Sequence, residues 1–104
     1  MKRPNIVERI RKTMRMTVPQ AKTILYGSEA RGDARQDSDI DLLILVDKPK
    51  IPVEEEKQII RVLSDLELET GILISSIILP KSQWENRPFK TPFYVNIMNE
   101  GIVL

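Results

Sequence analysis

Apolar residues recur every three or four positions in two long stretches of the chain, with charged residues between them. This spacing predicts amphipathic helices over residues 4–16 and from residue 52 to about residue 69. The two apolar stripes consist of Ile6, Val7, Ile10 and Met14 in the first helix and Ile59, Leu63 and Leu66 in the second. Pro4 suits the first turn of a helix, and Gly71 is a typical stop signal.

Three shorter apolar runs predict β-strands. They cover residues 23–26, 39–46 and 72–79. The second run is apolar at nearly every position, so we expect it to be central in a sheet and covered by helices on both faces. A short helix or turn is expected around residues 83–87, and a last helix over residues 91–99 is followed by a short apolar tail.

The order of these elements predicts an α/β (α+β) fold, in which helices pack on a small mixed β-sheet. The chain has 104 residues, so we expect one domain over residues 1–104. It contains no cysteine and no histidine. This absence excludes disulfides, thiolate metal sites and histidine-based catalysis. Acid–base or metal chemistry must therefore use carboxylates, lysine, tyrosine or hydroxyl groups.

Charge is distributed unevenly, although the net charge is only +1. Residues 1–22 hold seven basic side chains and one acid, whereas residues 52–70 hold six acids and two basic side chains. The basic segment could contact nucleic acid or an acidic partner, but the solvated face of a helix is the simpler interpretation. Residues 54–56 are likewise interpreted as a solvated helix start. No apolar run is long enough to span a membrane, and no signal sequence is evident, so we expect a cytoplasmic protein.

Asp39 and Asp41 are the first candidates for chemistry. Residues two apart on a strand point to the same face, which places their Cα atoms roughly 6–7 Å apart. Two carboxylates so placed repel each other, and a divalent cation with oxygen ligands, Mg²⁺ or Mn²⁺, would relieve the repulsion. The alternative is that both acids lie at an exposed strand start or in a turn.

The segment before them suggests a phosphate-binding turn. Gly27 follows a predicted strand and allows the backbone to approach a ligand closely. Ser28 could add a hydroxyl donor, or could cap a short helix that Gly32 would end. Arg31 could pair with phosphate oxygens, although it could also be an ordinary surface side chain. A phosphate-binding turn beside a carboxylate pair is the arrangement that metal-assisted phosphoryl transfer requires.

Together, Gly27-Ser28-Glu29-Ala30-Arg31-Gly32-Asp33 and Ser38-Asp39-Ile40-Asp41-Leu42-Leu43-Ile44 resemble the signature of the DNA polymerase β-like nucleotidyltransferase superfamily. The similarity is greatest to its minimal, stand-alone branch, which is often found beside helical HEPN proteins. The motif covers about a fifth of the chain, and the order of the flanking elements extends the resemblance over most of it.

The resemblance implies roles for four motif residues. Gly27 and Ser28 would hold the β- and γ-phosphates of a nucleoside triphosphate, expected to be ATP. Arg31 stays a candidate for a further phosphate contact on its chemistry alone. Asp39 and Asp41 would be the catalytic residues and would bind Mg²⁺ or Mn²⁺. The family transfers a nucleoside monophosphate to a hydroxyl group and releases pyrophosphate. A helical HEPN-type protein or a second copy of the chain is the implied protein partner.

One part of the family pattern is missing. The family commonly carries a third carboxylate on the strand that follows, but residues 72–79 contain no acid, and Ser75 or Ser76 occupies the position. A serine is a weak, neutral metal ligand and a poor base. Two interpretations therefore stay open: an active nucleotidyltransferase acting on a protein or small molecule, and a catalytically impaired nucleotide-binding or antitoxin-like module.

Overall fold

The computed structural model describes residues 2–104, which form five helices and four strands. In chain order these are α1 (Pro4–Thr17), β1 (Ala21–Tyr26), α2 (Gly27–Arg31), β2 (Ile40–Val46), α3 (Val53–Thr70), β3 (Ile74–Pro80), α4 (Lys81–Glu85), α5 (Pro92–Glu100) and β4 (Ile102–Val103). No helix in this described part of the chain is long and apolar enough to cross a membrane.

The four strands form one mixed sheet in the order β3-β2-β1-β4. β2 pairs antiparallel with β1 and parallel with β3, and the short β4 pairs antiparallel with the outer side of β1. Residues 42–46 of β2 are all buried, as the unbroken apolar run predicted. The predicted fold, a small mixed sheet with helices packed on it, is confirmed.

Two apolar cores lie on opposite faces of this sheet. On the α1–α3 face, Leu42 and its alternate neighbours on β2 pack under the apolar stripes of α1 and α3. On the α4–α5 face, Leu43 packs with Trp84 of α4 and Ile97 of α5. Because side chains alternate along a strand, Asp41 projects from the α4–α5 face, next to Leu43. The functional candidates therefore lie at the edge of the second, smaller core.

The C-terminal tail differs from the prediction, since it forms an additional strand. Ile102 and Val103 pair with β1, and the backbone N–H of the buried Leu104 donates to the carbonyl of Thr23 at 2.8 Å. A two-residue strand has no periodicity of its own, so only its distant partner makes it recognisable. The tail fixes the C-terminal end of α5 beside the end of β1.

The acidic start of α3 also differs from the prediction. Glu55 is not solvated but buried, with 8% of its surface exposed. It accepts hydrogen bonds from Gln20 at 2.7 Å and from Nζ of Lys48 at 2.8 Å, and these contacts lower its pKa despite burial. Of residues 54–56, Glu54 and Glu56 are exposed. Glu55 connects α3 to the segment before β1 and to the segment after β2, which lie at the same end of the sheet, and its two hydrogen bonds compensate for the loss of solvent.

Candidate functional site

A tight turn joins β1 to α2 at Gly27. The backbone φ angle of Gly27 is +76°, a left-handed value that glycine adopts at little cost. A Cβ atom at this position would collide with Oδ2 of Asp41. Glycine is therefore required both for the backbone conformation and for the direct contact between this turn and the Asp41 carboxylate.

Three residues on neighbouring strands form a row beside the turn. Tyr26 on β1 is the register partner of Asp41 on β2, and Asp41 is the register partner of Ser75 on β3. Residues paired in this way project from the same face of a sheet. Ser76 pairs instead with Leu42, which lies in the core of the opposite face. Ser75, and not Ser76, is therefore the residue beside Asp41 at the position predicted for a third carboxylate.

Asp39 and Asp41 interact electrostatically across the start of β2. Burial raises the pKa of Asp41, the negative charge of Asp39 raises it further, and the positive charge of Arg31 opposes both. The strand begins at Ile40, so Asp39 lies just before it and is exposed, whereas Asp41 is partly buried. A divalent cation would offset this repulsion, and carboxylate oxygens are ligands that Mg²⁺ and Mn²⁺ accept.

The carboxylate pair does not form a complete metal site by itself. Among the described residues 2–104, no group of three or more His, Cys, Asp or Glu side chains is arranged to hold a metal ion. The donor set of Asp39 and Asp41 fits a divalent cation only if other oxygens complete the coordination. Phosphate oxygens are ligands of the same hard type, and a nucleotide held at Gly27 would bring them next to Asp41.

Ser28 lies inside α2 and not at its cap. The extended residue Tyr26 precedes the helix, no side chain caps its N-terminus, and Ser28 is the second helical residue. The alternative in which Ser28 is the N-cap is therefore wrong, and its hydroxyl is left available as a donor. Gly32, with a φ angle of +84°, ends the helix as predicted.

Arg31 contacts carboxylates at the mouth of the site. Its Nη1 lies 3.2 and 3.3 Å from the two carboxylate oxygens of Glu100, and its Nε lies 3.2 Å from Oδ2 of Asp33. The backbone N–H of Gly27 also donates to Oε1 of Glu100, at 3.3 Å. Glu100 was not among the residues predicted from the sequence. The only available signal was an acid in the last turn of a helix, where the helix dipole disfavours negative charge.

A buried ion pair supports the site from behind. The side chain of Glu29 in α2 is fully buried and accepts hydrogen bonds from the backbone N–H of Lys2 at 2.6 Å and of Arg3 at 2.9 Å, and from Nε of Arg3 at 2.5 Å. Nη1 of Arg3 donates to the carbonyl of Ser38 at 2.8 Å. Arg3 therefore connects the helix that carries Ser28 to the residue that precedes Asp39.

The basic N-terminal segment is largely occupied by contacts within the chain. Arg3 pairs with Glu29, Arg9 with Glu69, and Arg11 with Glu8, while Arg15 donates to the carbonyl of Leu104 at 2.6 and 3.0 Å. Four of the seven basic side chains predicted as a possible contact surface thus have intramolecular partners. This arrangement favours the structural interpretation of the segment.

An aromatic wall borders the row on the α4–α5 face. The ring of Tyr26 meets that of Phe93 edge to face, with centroids 5.6 Å apart, and Phe93 meets the buried Trp84 in the same manner at 6.2 Å. Burial, together with the negative charge of Asp41, raises the pKa of the Tyr26 hydroxyl. Tyr26 therefore stays neutral and connects the carboxylate pair to the smaller core.

Comparison with known proteins agrees with the motif. The model of the nucleotidyltransferase domain family matches residues 7–104. Two curated proteins of Methanocaldococcus jannaschii, each named as a candidate protein adenylyltransferase, are similar in sequence. One is 41% identical over 81 residues, which cover 78% of this chain and 75% of the relative. The other is 35% identical over 83 residues, which cover 80% of this chain and 76% of the relative.

Solved structures share the fold. A candidate minimal nucleotidyltransferase aligns over 100% of this chain and 97% of its own, with a TM-score of 0.62 and 23% identity. A toxin–antitoxin structure with AMP-PNP contains a chain that aligns over 92% of this chain and 69% of its own, with a TM-score of 0.63 and 16% identity. Because these sequence identities are below 25%, the two structures show a shared fold and nothing further.

Proposed function

Because the chain belongs to the nucleotidyltransferase domain family, we propose that it binds ATP with a divalent metal and transfers the adenylyl group to a hydroxyl of a protein or small-molecule acceptor. The observation that carries the proposal is the contact between Gly27 and Asp41, which joins the phosphate-binding turn to the carboxylate pair. The names of the M. jannaschii relatives favour an adenylyl donor over other nucleotides. A cytoplasmic location, where ATP is available, is part of the proposal.

The proposed roles are those that the family motif implies, and the contact between the Gly27 turn and Asp41 supports them. The N–H of Gly27 and the hydroxyl of Ser28 bind the β- and γ-phosphates, and Arg31 contacts the same charge from the mouth of the site. Asp39 and Asp41 would hold Mg²⁺ or Mn²⁺, which would neutralise phosphate charge and make the acceptor hydroxyl easier to deprotonate. The acceptor hydroxyl loses its proton to solvent water, and its oxygen forms a bond to the α-phosphorus. The bond from that phosphorus to the oxygen that bridges it to the β-phosphorus breaks, and pyrophosphate leaves.

A second function is favoured by Ser75. Its position beside Asp41 leaves the site without a third carboxylate, which would slow deprotonation of the acceptor while leaving nucleotide binding intact. The second candidate is therefore a catalytically impaired nucleotide-binding module that acts through a partner. Similarity in fold to a chain of a toxin–antitoxin complex favours a protein partner. We propose a helical, HEPN-type protein or a second copy of the chain as that partner, and either could supply the acceptor.

A transfer assay separates the two candidates. The protein is incubated with labelled nucleoside triphosphates, Mg²⁺ or Mn²⁺ and a cell lysate, beside Asp39→Asn/Asp41→Asn and a control, Asp47→Asn. Asp47 is exposed just after the far end of β2. Label transferred to macromolecules by the wild type and by Asp47→Asn, but not by the double variant, supports the enzyme.

Calorimetry with ATP completes the comparison. Metal-dependent binding without transfer supports the impaired module. If the double variant binds metal and nucleotide as well as the wild type, the site assignment is wrong.

A further inference from the structure

Glu100 places a negative charge on groups that are proposed to bind phosphate. Its carboxylate accepts from the N–H of Gly27 at 3.3 Å and lies 3.2 and 3.3 Å from Nη1 of Arg31. A carboxylate and a phosphate present the same kind of oxygen acceptor to an N–H group and a guanidinium. The side chain of Glu100 therefore occupies, within the chain, part of the position that a nucleotide phosphate is proposed to take.

The position of Glu100 in the fold is unfavourable unless these contacts compensate for it. It is the last residue of α5, where unpaired carbonyls carry partial negative charge, and acids are disfavoured at this end of a helix. The side chain is mostly enclosed, with 23% of its surface exposed. Gly27 and Arg31 are its only hydrogen-bond partners among the described residues 2–104.

The contacts are long enough for another anion to replace. All three distances are at or above 3.2 Å, whereas charge-assisted hydrogen bonds usually measure about 2.7–2.9 Å. Arg31 is about half exposed, so its ion pair with Glu100 is screened by solvent and easily exchanged.

Glu100 does not complete the metal site in this arrangement. Across residues 2–104, the acids include no group of three placed to share an ion, so Glu100 is not positioned with Asp39 and Asp41 as a common ligand set. The negative charge of Glu100 instead adds to that of Asp39 and Asp41 around Gly27, and Arg31 is a cation close to these carboxylates.

We infer that Glu100 is an internal competitor for the triphosphate: it holds Gly27 and Arg31 in the nucleotide-free protein and is displaced when a nucleotide phosphate binds. This inference rests on the proposed function and adds an affinity-determining residue to the same site. Glu100 lowers nucleotide affinity and keeps the phosphate-binding groups in place without ligand.

Calorimetric titration of ATP with Mg²⁺ into Glu100→Gln tests the inference. Glutamine keeps the size of the side chain and an acceptor oxygen but removes the charge, so ATP should bind about three- to tenfold more tightly than to the wild type. The gain should shrink as salt is raised, because screening weakens the competing charge. The matched control is Glu56→Gln, which removes the same charge from an exposed position of α3 on the opposite face of the sheet. It should bind like the wild type.

The outcomes separate this inference from the proposed function. If Glu100→Gln binds ATP with the same affinity as the control, the inference is overturned, whether its thermal midpoint is unchanged or lowered. The contact of Glu100 would then be structural. Weaker binding by a folded Glu100→Gln overturns it as well, because Glu100 would then assist binding. A wild type that binds no ATP, with or without metal, refutes the proposed function itself. Glu100→Ala provides a second variant that removes both charge and acceptor, and it should also bind ATP more tightly.

Discussion

At the scale of single residues, position 27 requires glycine for two reasons, which can be tested separately. Its positive φ angle disfavours any side chain, and a Cβ would also meet the Asp41 carboxylate. Gly71 has nearly the same angle, +72°, but a Cβ there would have no neighbour within 4 Å. The two glycines therefore have similar backbone φ angles, but only Gly27 lies against the Asp41 carboxylate. Gly71 is for this reason a matched control.

Gly27→Ala should lose ATP binding, whereas Gly71→Ala should retain it. Both changes should lower the free energy of unfolding by about 1 kcal/mol through the backbone conformation. Gly27→Ala should cost more, since Asp41 must also move. Urea unfolding and ATP titration measure the two effects. Equal ATP affinities for two folded variants would show that the Gly27 turn does not bind nucleotide.

Ser75 is the residue at which a missing ligand can be restored. Its register partner is Asp41, so Ser75→Asp would place a third carboxylate on the same face, while Ser76→Asp would place one on the opposite face. Ser75→Asp should raise the affinity for Mg²⁺ by about tenfold, because affinity for a hard cation grows with the number of charged oxygen ligands. The Mg²⁺ dependence of the thermal midpoint measures this.

The same variant separates the two functional candidates. Without metal, Ser75→Asp should melt below the wild type, because three carboxylates repel one another, and Mg²⁺ should restore the midpoint. Transfer activity that rises with Ser75→Asp but not with Ser76→Asp would identify the wild type as an impaired enzyme. A response shared by both variants would contradict the register-based assignment.

At the scale of helices and strands, the pair formed by Arg3 and Glu29 connects α1, α2 and the segment before β2. Glu29 is fully buried in its ion pair, and Arg3 also donates to the carbonyl of Ser38. Removing one partner of such a pair leaves an uncompensated buried charge. Glu29→Gln should therefore destabilise the protein by about 3 kcal/mol at pH 7, measured by urea unfolding.

The effect should depend on pH in a defined direction. Burial opposes ionisation of Glu29, but the hydrogen bonds from Arg3 and from the N–H of Lys2 outweigh it and lower the pKa below the ordinary value of 4.5. The stabilisation is thus complete above that value and is lost as pH falls through the folded-state pKa. The gap between wild type and Glu29→Gln should narrow in acid. A gap that is constant from pH 7 to pH 3 would contradict this role, and Glu56→Gln should show no gap.

The contrast between β2 and β4 shows which elements the sequence could predict. β2 is a seven-residue strand with an unbroken apolar run, so its burial follows from local composition alone. The two-residue β4 exists through pairing with β1, which lies far away in the sequence. Helices α1 and α3 were predictable because their apolar stripes recur over several turns.

The arrangement of the candidate site could be predicted in part. The motif predicted that Gly27 lies near Asp41, and the short spacing in sequence places Asp39 near Asp41, while their roles in binding stay predictions. The position of Glu100 was not predictable, because its contact with Gly27 depends on how the end of α5 meets β1. The choice between Ser75 and Ser76 also required the register of β3 against β2, which no local pattern encodes.

At the scale of the whole molecule, nucleotide binding should appear as a gain in stability of the folded chain. The turn at Gly27 and the start of β2 lie on separate elements that meet only in the fold, so a ligand that contacts both binds only the folded chain. At an ATP concentration 100 times the dissociation constant, such linkage adds about 2.7 kcal/mol to the free energy of unfolding. For a domain of this size, that corresponds to a rise in thermal midpoint of roughly 10 °C.

The rise should require Mg²⁺ or Mn²⁺ and should disappear in Asp39→Asn/Asp41→Asn, while Asp47→Asn should keep it. Glu100→Gln should reach the same shift in thermal midpoint at a lower ATP concentration, because the competing carboxylate is gone. A rise of equal size in the double variant would place the nucleotide elsewhere on the molecule. A rise without metal would show that ATP does not bind beside the carboxylate pair. In the absence of metal, the negative charges of Asp39, Asp41 and Glu100 would repel the phosphates of an ATP molecule bound there.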